Sequence, residues 1–480
     1  MTATKKGKSG MCDVFSDDFL LHSTFARKLY SRISRLPIID YHGHLRVDLL
    51  ASNEPFKNLT DIWIRGDHYK WRLMRLNGVP ERYCSGDASD EEKFEAWART
   101  LPFAIRNPIF HWSCRELLHY FGIDSELTPE NAWTIWGKAN ELLKTEALRP
   151  RGILSLMNVE ILCTTDDPAD DLCHHIALRN DSSFGVRVYP TYRPDAALHL
   201  NDSASFCVWV MRLSKAADIY IHDLTSFIEA LRQRHGAFHA VGCRISDHGL
   251  ERAYAEPCSQ AEATKLFSQM LCSKTPSTAA LDQWRGYLMR QFAEWNHERG
   301  WVMMLHLGAL RNNNTRMFTR IGIDTGCDSI GDFSHAWAVN RFLDALDATG
   351  HLPKTILFNS NPCDNLLFAT IAANFFEDGV AGKVQYGPAW WFLDTAPGIR
   401  QHFNALSFVG LSHQFVGMVA DSRSFFSLSR HDYFRRVLCD LYAEDVALGV
   451  LPANESRLAG ELEAIFYRNA RKYFNWETVC

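Results

Sequence analysis

Short apolar runs, each bounded by polar or turn-forming residues, recur eight times along the chain. They lie at residues 36–40, 156–163, 184–190, 240–245, 301–305, 355–358, 383–386 and 415–420. Continuous apolar runs of this length are typical of strands buried on both faces, as in parallel sheets. Helix-like segments follow the later runs at residues 259–272, 279–299, 332–349 and 361–376. This alternation of strands and helices predicts an α/β fold.

Polar side chains collect where the runs end, which is where the loops of an eight-stranded α/β barrel build the active site. We therefore predict a (β/α)8 TIM barrel over residues 36–426, preceded by a helical segment over residues 1–35. The long gap after the first run predicts a large helical insertion at about 46–152. The helical pattern of residues 427–480 predicts an extension packed on the barrel. Within the insertion, Ser89 and Glu92 form a capping box that predicts a helix through Arg99.

The composition is that of a folded protein, with 46% hydrophobic and 22% charged residues in a chain of 480. The net charge of -5 argues against nucleic acid or an anionic membrane as a partner. The 13 cysteines include no Cys-x-x-Cys pair, and the chain has neither a signal-like start nor an apolar stretch of membrane-spanning length. We therefore expect a cytoplasmic protein in a reducing environment.

Two histidines at the end of the first run, His42 and His44, are candidates for a metal site. Side chains two residues apart on a strand share a face, and converging imidazoles suit a divalent metal. A His-x-His pair is expected by chance about once in such a chain, so its place at a strand end carries the prediction. Asp421 and Arg423 end the eighth run with the same spacing. They form either a structural ion pair or a metal ligand beside an anion holder.

Further candidates lie at other strand ends and in the insertion. His306 ends the fifth run, where a buried structural histidine is the alternative interpretation. Arg193 lies in a proline-flanked loop that can aim its guanidinium at a carboxylate. His68 and Tyr69 follow Asp67, and this stretch is either a solvated helix start capped by Asp67 or a loop that brings acid–base groups over the site. Trp390 is either a core residue or a surface for stacking a sugar.

The sequence contains no Walker loop, no Gly-x-Gly-x-x-Gly after a strand and no Gly-x-Ser-x-Gly elbow. These absences disfavour phosphoryl transfer and nucleotide-dependent redox chemistry.

Seven strings of the sequence are long enough to be specific to a family: IIDYHGHL, GDHYKWR, YPTYRPD, SDHGL, LHLGALRNNN, LFNSNP and VGMVADSRSFFSLSRHDYFRR. In this order they resemble the uronate isomerases, also called glucuronate isomerases, of the amidohydrolase superfamily. The resemblance runs from about residue 17 to about residue 474.

The resemblance implies a (β/α)8 barrel that interconverts D-glucuronate with D-fructuronate and D-galacturonate with D-tagaturonate. It implies one divalent metal ion, usually zinc, held by His42, His44 and Asp421 with His306 beside them. The implied catalytic and substrate-binding groups are His68, Tyr69, Arg193 and Arg423. We further predict that Asp421 acts as the base and that His306 and Trp390 contact the substrate. The chain departs from the family pattern at Gly43, at Ala420 and in the string PAWWFLD. These three departures affect the expected shape of the sugar pocket.

Two other classes of protein remain as alternatives. A metal-dependent hydrolase on the same barrel would share the histidines and the final aspartate. The fourth run has no lysine to bridge two metals, however, and the sixth ends in Asn359 rather than histidine. A non-catalytic protein that binds sugar acids would need no base. The sequence leaves open the preferred uronate epimer, the role of the metal, proton transfer against hydride shift, and whether the chain forms a homo-oligomer.

Overall fold

A computed structural model describes residues 13–198, 203–272, 274 and 276–476 of the chain. The strands are β1 Ile38–Asp40, β2 Val159–Cys163, β3 Arg187–Tyr189, β4 Ile245–Leu250, β5 Val302–Leu307, β6 Ala309–Leu310, β7 Ser329–Ile330, β8 Lys354–Asn359 and β9 Val384–Tyr386. Seven of the eight predicted runs coincide with or adjoin one of these strands. The fourth was placed too early, because residues 240–245 mostly span the end of a helix and the turn at Gly242, whose φ is +105°.

The sheets are parallel, with strand orders β1-β2-β3 and β4-β5-β8-β9. Tyr192 joins them, because it forms isolated parallel bridges with Asp166 after β2 and with Ser246 in β4. The short strands β6 and β7 form a separate antiparallel pair. The α/β class predicted from the sequence is therefore confirmed, and seven parallel strands follow one another in chain order.

The eighth predicted run, residues 415–420, is not a β-strand. Gly417 has a φ of +79°, which interrupts an extended conformation. The segment nevertheless lies beside β1, because the Ala420 amide donates to the Asp40 carboxylate at 3.0 Å and the Tyr41 hydroxyl donates to the Gly417 carbonyl at 3.4 Å. Two backbone hydrogen bonds follow just beyond this segment, from the His44 amide to the Ser422 carbonyl at 3.0 Å and from the Asp421 amide to the His42 carbonyl at 3.4 Å. A closed ladder of eight strands is not formed among the described residues.

The helices surround the sheets and fill the predicted insertion. They are α1 Thr24–Ile33, α2 Val47–Ser52, α3 Leu59–Trp63, α4 His68–Leu76, α5 Asp90–Thr100, α6 Pro108–Phe121, α7 Ala132–Leu143, α8 Pro150–Leu156, α9 Cys173–Asn180, α10 Asp195–Leu198, α11 Ser203–Ala217, α12 Leu224–Ala240, α13 Gln260–Leu271, α14 Thr278–Arg299, α15 Thr315–Ile321, α16 His335–Asp347, α17 Asn365–Ala372, α18 Ala396–Val409, α19 Arg430–Ala447, α20 Glu455–Glu463 and α21 Asn469–Tyr473. The predicted capping box is confirmed at α5, where Ser89 and Glu92 bond reciprocally.

Helices occupy the three segments that the sequence assigns to additions. Of the predicted N-terminal segment, residues 1–12 lie outside the described part of the chain, and the rest contains α1. Residues 46–152 hold α2 to α7 and the start of α8, and the predicted C-terminal extension begins with α19. No helix in the described part of the chain is long and apolar enough to cross a membrane. The division into domains stays a prediction.

Alternate residues of the strands pack into two separate apolar clusters. Val302 and Ile356 belong to a cluster inside the sheets, whereas Met303 and Leu357 belong to the larger cluster that includes the helices. Trp476, close to the end of the chain, joins the inner cluster and is fully buried. Lys354, at the start of β8, donates to a carbonyl near this C-terminus. The amino ends of the strands are therefore covered, and polar chemistry gathers at their carboxyl ends.

Candidate active site

Two histidines follow β1 and converge on one carboxylate. The Nε2 atoms of His42 and His44 lie 3.2 and 3.1 Å from Oδ1 of Asp421. His42 is buried, whereas His44 is partly exposed. Asp421 reaches this position with a φ of +41°, in the left-handed region that aspartate tolerates better than most residues. The structure thus brings together three side chains that the sequence predicts as metal ligands.

A tryptophan fixes the second oxygen of the same carboxylate. The indole Nε1 of Trp390 donates to Oδ2 of Asp421. Burial would raise the pKa of Asp421, but hydrogen bonds from His42 and His44 hold it well below its usual value. Trp390 is itself buried, and its ring meets His306 edge to face with centroids 4.8 Å apart. Its visible role is therefore to orient a charged carboxylate.

Asp247 in β4 links the histidines on its far side. Its Oδ1 lies 2.7 Å from Nδ1 of His306, and its Oδ2 lies 3.7 Å from Nδ1 of His42. The rings of His42 and His306 are only 4.5 Å apart between centroids. Asp247 is not among the site residues predicted from the sequence. Its place in the string SDHGL, directly after the fourth apolar run, is the signal that could have found it.

Arg193 supplies the positive charge that balances Asp247. Its Nη1 lies 3.0 Å from Oδ2 of Asp247, and its Nε donates to Oδ2 of Asp195 at 2.8 Å. Burial of Asp247 would raise the pKa of its carboxyl group, but Arg193 and the two histidines hold it well below its usual value. Arg193 is thus held between two acids of the chain at the edge of the histidine cluster.

The first residues of α4 bring acid–base groups towards the same carboxylate. Asp67 caps this helix, since it accepts hydrogen bonds from the amides of Tyr69 and Lys70. The rings of His68 and Tyr69 stack with centroids 4.6 Å apart. Burial lowers the pKa of His68 to about 4, so its imidazole is neutral at neutral pH. Burial, Asp394 and Asp421 raise the pKa of Tyr69 well above its usual value. Asp67 is therefore a helix cap, and the helix also carries two acid–base groups near Asp421.

Arg423 lies at the rim of the site. Its guanidinium is 39% exposed and donates from Nη2 to Oδ2 of Asp324 at 3.0 Å.

The departure from the family pattern at Gly43 is sterically mild. A Cβ added there would meet its nearest neighbours at 3.9 Å, which is ordinary van der Waals contact. The Gly43 carbonyl accepts a hydrogen bond from the Thr165 hydroxyl at 2.8 Å, which fixes the backbone between the two histidines.

The donor set fits a divalent metal ion. Two overlapping triads, His42 with His44 and Asp421, and His42 with Asp247 and His306, each place their donor atoms within 4.8 Å of one another. Nδ1 of His42 and Nε2 of His306 are buried and have no hydrogen-bond partner among the described residues. Buried polar atoms are normally paired, and imidazole with carboxylate is a common ligand set for zinc and similar ions. A bound cation would satisfy this cluster.

A parallel sheet with a histidine–carboxylate cluster at its carboxyl edge defines a class of α/β enzymes with an active site at the strand ends. Comparisons with known proteins identify the family within this class. The glucuronate isomerase family matches residues 11–474. The uronate isomerase of Opitutus terrae is 46% identical over 96% of this chain and 97% of its own length. That of Bacteroides thetaiotaomicron is 45% identical over 97% of this chain and all of its own. The chain belongs to the glucuronate isomerase family.

Solved structures agree with this assignment. The uronate isomerase of Thermotoga maritima superposes with a TM-score of 0.90 at 31% identity, covering 96% of this chain and 99% of that one. The glucuronate isomerase of Caulobacter crescentus gives a TM-score of 0.89 at 27% identity, covering 96% and 98%. A putative metal-dependent hydrolase from Lactobacillus casei shares the fold alone, with a TM-score of 0.54 at 13% identity.

Proposed function

We propose that the protein is an aldose–ketose isomerase that interconverts D-glucuronate with D-fructuronate and D-galacturonate with D-tagaturonate. The observation that carries this proposal is the placement of Asp421. Its carboxylate lies between His42 and His44, is oriented by Trp390, and belongs to a chain of the glucuronate isomerase family. Isomerisation of an aldose requires a base for the C2 proton, stabilisation of the enediolate oxygens and return of a proton to C1.

One divalent metal ion, zinc by preference, belongs to this proposal as cofactor. His42, His44 and Asp421 would hold it, with His306 beside them. Such an ion polarises a carbonyl oxygen and stabilises negative charge that develops on it. Asp247 then supports the site indirectly, because a carboxylate bonded to one ring nitrogen of a histidine fixes the orientation of the other nitrogen.

Asp421 acts as the base in the proton transfer. Its carboxylate is charged, so it is in the form that can take the proton from C2 of the open-chain sugar and return it to C1. Tyr69 and His68 carry the hydroxyl protons, which must move from O2 to O1 and are also exchanged when the sugar ring opens. The neutral imidazole of His68 and the protonated phenol of Tyr69 suit this role, since the first can accept a proton and the second can donate one.

Arginines recognise the uronate carboxylate. Arg423 at the rim is half-exposed and offers its guanidinium to an entering anion. Arg193 lies deeper, and its pairs with Asp247 and Asp195 favour a part in positioning the histidine cluster. His306 and the indole of Trp390 complete the wall against which the sugar packs. A metal-dependent hydrolase or a non-catalytic binding protein is not favoured, because relatives that match nearly the whole chain at 46% identity are uronate isomerases.

The protein acts in the cytoplasm on a small hexuronate, with neither nucleic acid nor membrane as a partner, and assembly into a homo-oligomer remains an expectation. The described cysteines, which exclude Cys12 and Cys480, are free thiols.

The test is to incubate the metal-loaded protein separately with D-glucuronate and D-galacturonate and to follow ketouronate by NMR. We expect product from at least one sugar, loss of activity after chelation, and recovery on addition of zinc. The variant Asp421→Asn should bind uronate in a calorimetric titration and give no detectable product. Hydrolysis of an ester, amide or lactone panel without isomerisation would overturn the proposal, as would full turnover by Asp421→Asn.

A further inference from the structure

Two arginines at the rim of the site converge on one carboxylate of the chain itself. Arg423 donates from Nη2 to Oδ2 of Asp324 at 3.0 Å, and Nη1 of Arg311 lies 3.6 Å from Oδ1 of the same residue. The carboxylate is half-exposed, as is Arg423. A uronate carries the same chemical group at C6. Asp324 therefore holds the two guanidiniums in the way that a bound carboxylate would.

This ion-pair cluster borders the candidate active site. Arg423 follows Asp421 by two residues, and the guanidinium of Arg311 lies over the ring of Trp391 at 5.0 Å, next to the tryptophan that orients Asp421. Burial would raise the pKa of the Asp324 carboxyl group, but Arg423 and Arg311 hold it below its usual value. A sugar that reaches Asp421 must therefore place its carboxylate within the field of these groups.

The backbone around Asp324 is fixed to helix α4. Arg75 donates to the Thr325 carbonyl, and Arg72 donates from Nε to the Gly326 carbonyl at 3.3 Å. Gly326, with a φ of +85°, approaches α4 so closely that an added Cβ would lie 2.8 Å from the His68 carbonyl oxygen. Asp324 itself has a φ of +58°. These contacts hold the carboxylate at the rim, where both arginines reach it.

We propose that Asp324 is a specificity-determining residue whose carboxylate is replaced on Arg423 and Arg311 by the carboxylate of the uronate. This inference rests on the proposed function and goes beyond it by naming the group that the substrate displaces. A half-exposed ion pair contributes little to stability, so an anionic ligand that restores both contacts can exchange with it. A neutral hexose cannot compensate the arginines for leaving Asp324, so the exchange selects sugars that carry an acid.

The test compares Asp324→Asn with Asp328→Asn, a matched substitution in the same loop. Asp328 accepts from the Asn312 amide at 2.8 Å and reports any general effect on the loop. We expect Asp324→Asn to lower KM for D-glucuronate about two- to fivefold, the value of one exposed ion pair. The dissociation constant of D-gluconate, an unreactive monocarboxylate of the same length, should fall by the same factor. Asp328→Asn should leave both constants at the wild-type value.

Unchanged or weaker gluconate binding by Asp324→Asn, or the same change in Asp328→Asn, would overturn the inference. Failure of the proposed function looks different, because the wild-type protein would then form no ketouronate from either sugar. The gluconate titration needs no turnover, so it decides the role of Asp324 in either case.

Discussion

Replacing Asp247 by asparagine tests the buried charge on which the geometry of the histidine cluster depends. Asparagine keeps the shape of the side chain and removes its charge. In the wild-type protein this fully buried carboxylate lies 2.7 Å from Nδ1 of His306 and 3.0 Å from Nη1 of Arg193. The substitution therefore weakens the restraint on one candidate ligand and leaves a guanidinium with one acid instead of two.

The magnitudes follow from these two contacts. Breaking a buried ion pair costs about 3–5 kcal/mol, and the lower end applies here because Arg193 keeps its 2.8 Å contact with Asp195. Loss of a carboxylate that orients a metal-binding histidine lowers metal affinity about 10- to 100-fold. We expect kcat/KM to fall about 100-fold or more, equivalent to about 2.7 kcal/mol of transition-state stabilisation.

Three measurements on Asp247→Asn check this account: kcat/KM for D-glucuronate, zinc affinity from a chelator competition, and the thermal unfolding midpoint. Asp195→Asn is the matched control, because it removes the other acid on Arg193 and leaves the contact between Asp247 and His306 intact. It should lower the unfolding midpoint while its zinc affinity stays close to that of the wild type. Wild-type zinc affinity and kcat/KM in Asp247→Asn would refute the reasoning.

Two further predictions concern the orientation of the base and the response to acid. Trp390→Phe removes the hydrogen-bond donor to Asp421. Because a hydrogen bond to a charged group contributes about 1.5–3 kcal/mol, kcat/KM should fall at least about tenfold. The control Trp391→Phe should have a smaller effect, and equal effects of the two variants would contradict the role of Trp390. Burial lowers the pKa of His175 and His402 to about 4 and that of His235 to about 3. The unfolded chain binds these protons first, so the unfolding midpoint should fall as pH drops from about 6.5 towards 4, and a midpoint that stays constant or rises would contradict it.

Two buried carboxyl groups oppose the histidines and limit the loss of stability at low pH. Burial raises the pKa of Asp166 and Asp394 to about 7, so these two carboxyls bind protons in the folded state before they do in the unfolded chain. Their contribution to stability is present at low pH and is lost as pH rises through about 7. His248 and His335, both buried with a pKa of about 4, act in the same direction as the other histidines. The histidines therefore outweigh the two acids, and the net effect of acid is destabilising.

The local pattern of apolar residues was sufficient to predict strands that are buried on both faces. β5 and β8 are apolar throughout except at their ends, so their identity is visible in the sequence. β4 was misplaced because its own residues, ISDHGL, are half polar, and the apolar letters before them belong to a helix end. The eighth run has the composition of a strand, but the glycine at 417 and contacts with β1 decide its conformation. Such contacts between distant segments are not encoded in local periodicity.

The candidate site likewise contains some residues that could be predicted from the sequence and others that could not. His42, His44 and Asp421 could be predicted because each stands at the end of a run, with a spacing that puts neighbouring charges on one face. Asp247 was missed because its importance depends on pairing with Arg193 and His306, which lie 54 and 59 residues away in the sequence. A buried acid acquires a role only through partners that the fold supplies.

Arg423 was predicted from the sequence as a site residue, but its partner was not. Its position beside Asp421 indicated an anion holder, and the structure places it at the rim of the site. The sequence could not show that Asp324, almost a hundred residues earlier, already occupies its guanidinium. Trp390 was open between a core residue and a stacking surface, and its burial and its donation to Asp421 are consequences of tertiary packing.

The measurement that tests the central claim most directly is the conversion of D-glucuronate in deuterium oxide by the metal-loaded protein, followed by NMR at C1 of the product. Proton transfer through Asp421 predicts D-fructuronate that carries solvent deuterium at C1, because the proton that this carboxylate holds between its removal from C2 and its delivery to C1 can exchange with water. D-Fructuronate without deuterium at C1 would contradict the role of Asp421 as the base and favour a hydride shift. The absence of any ketouronate would contradict the proposed function itself.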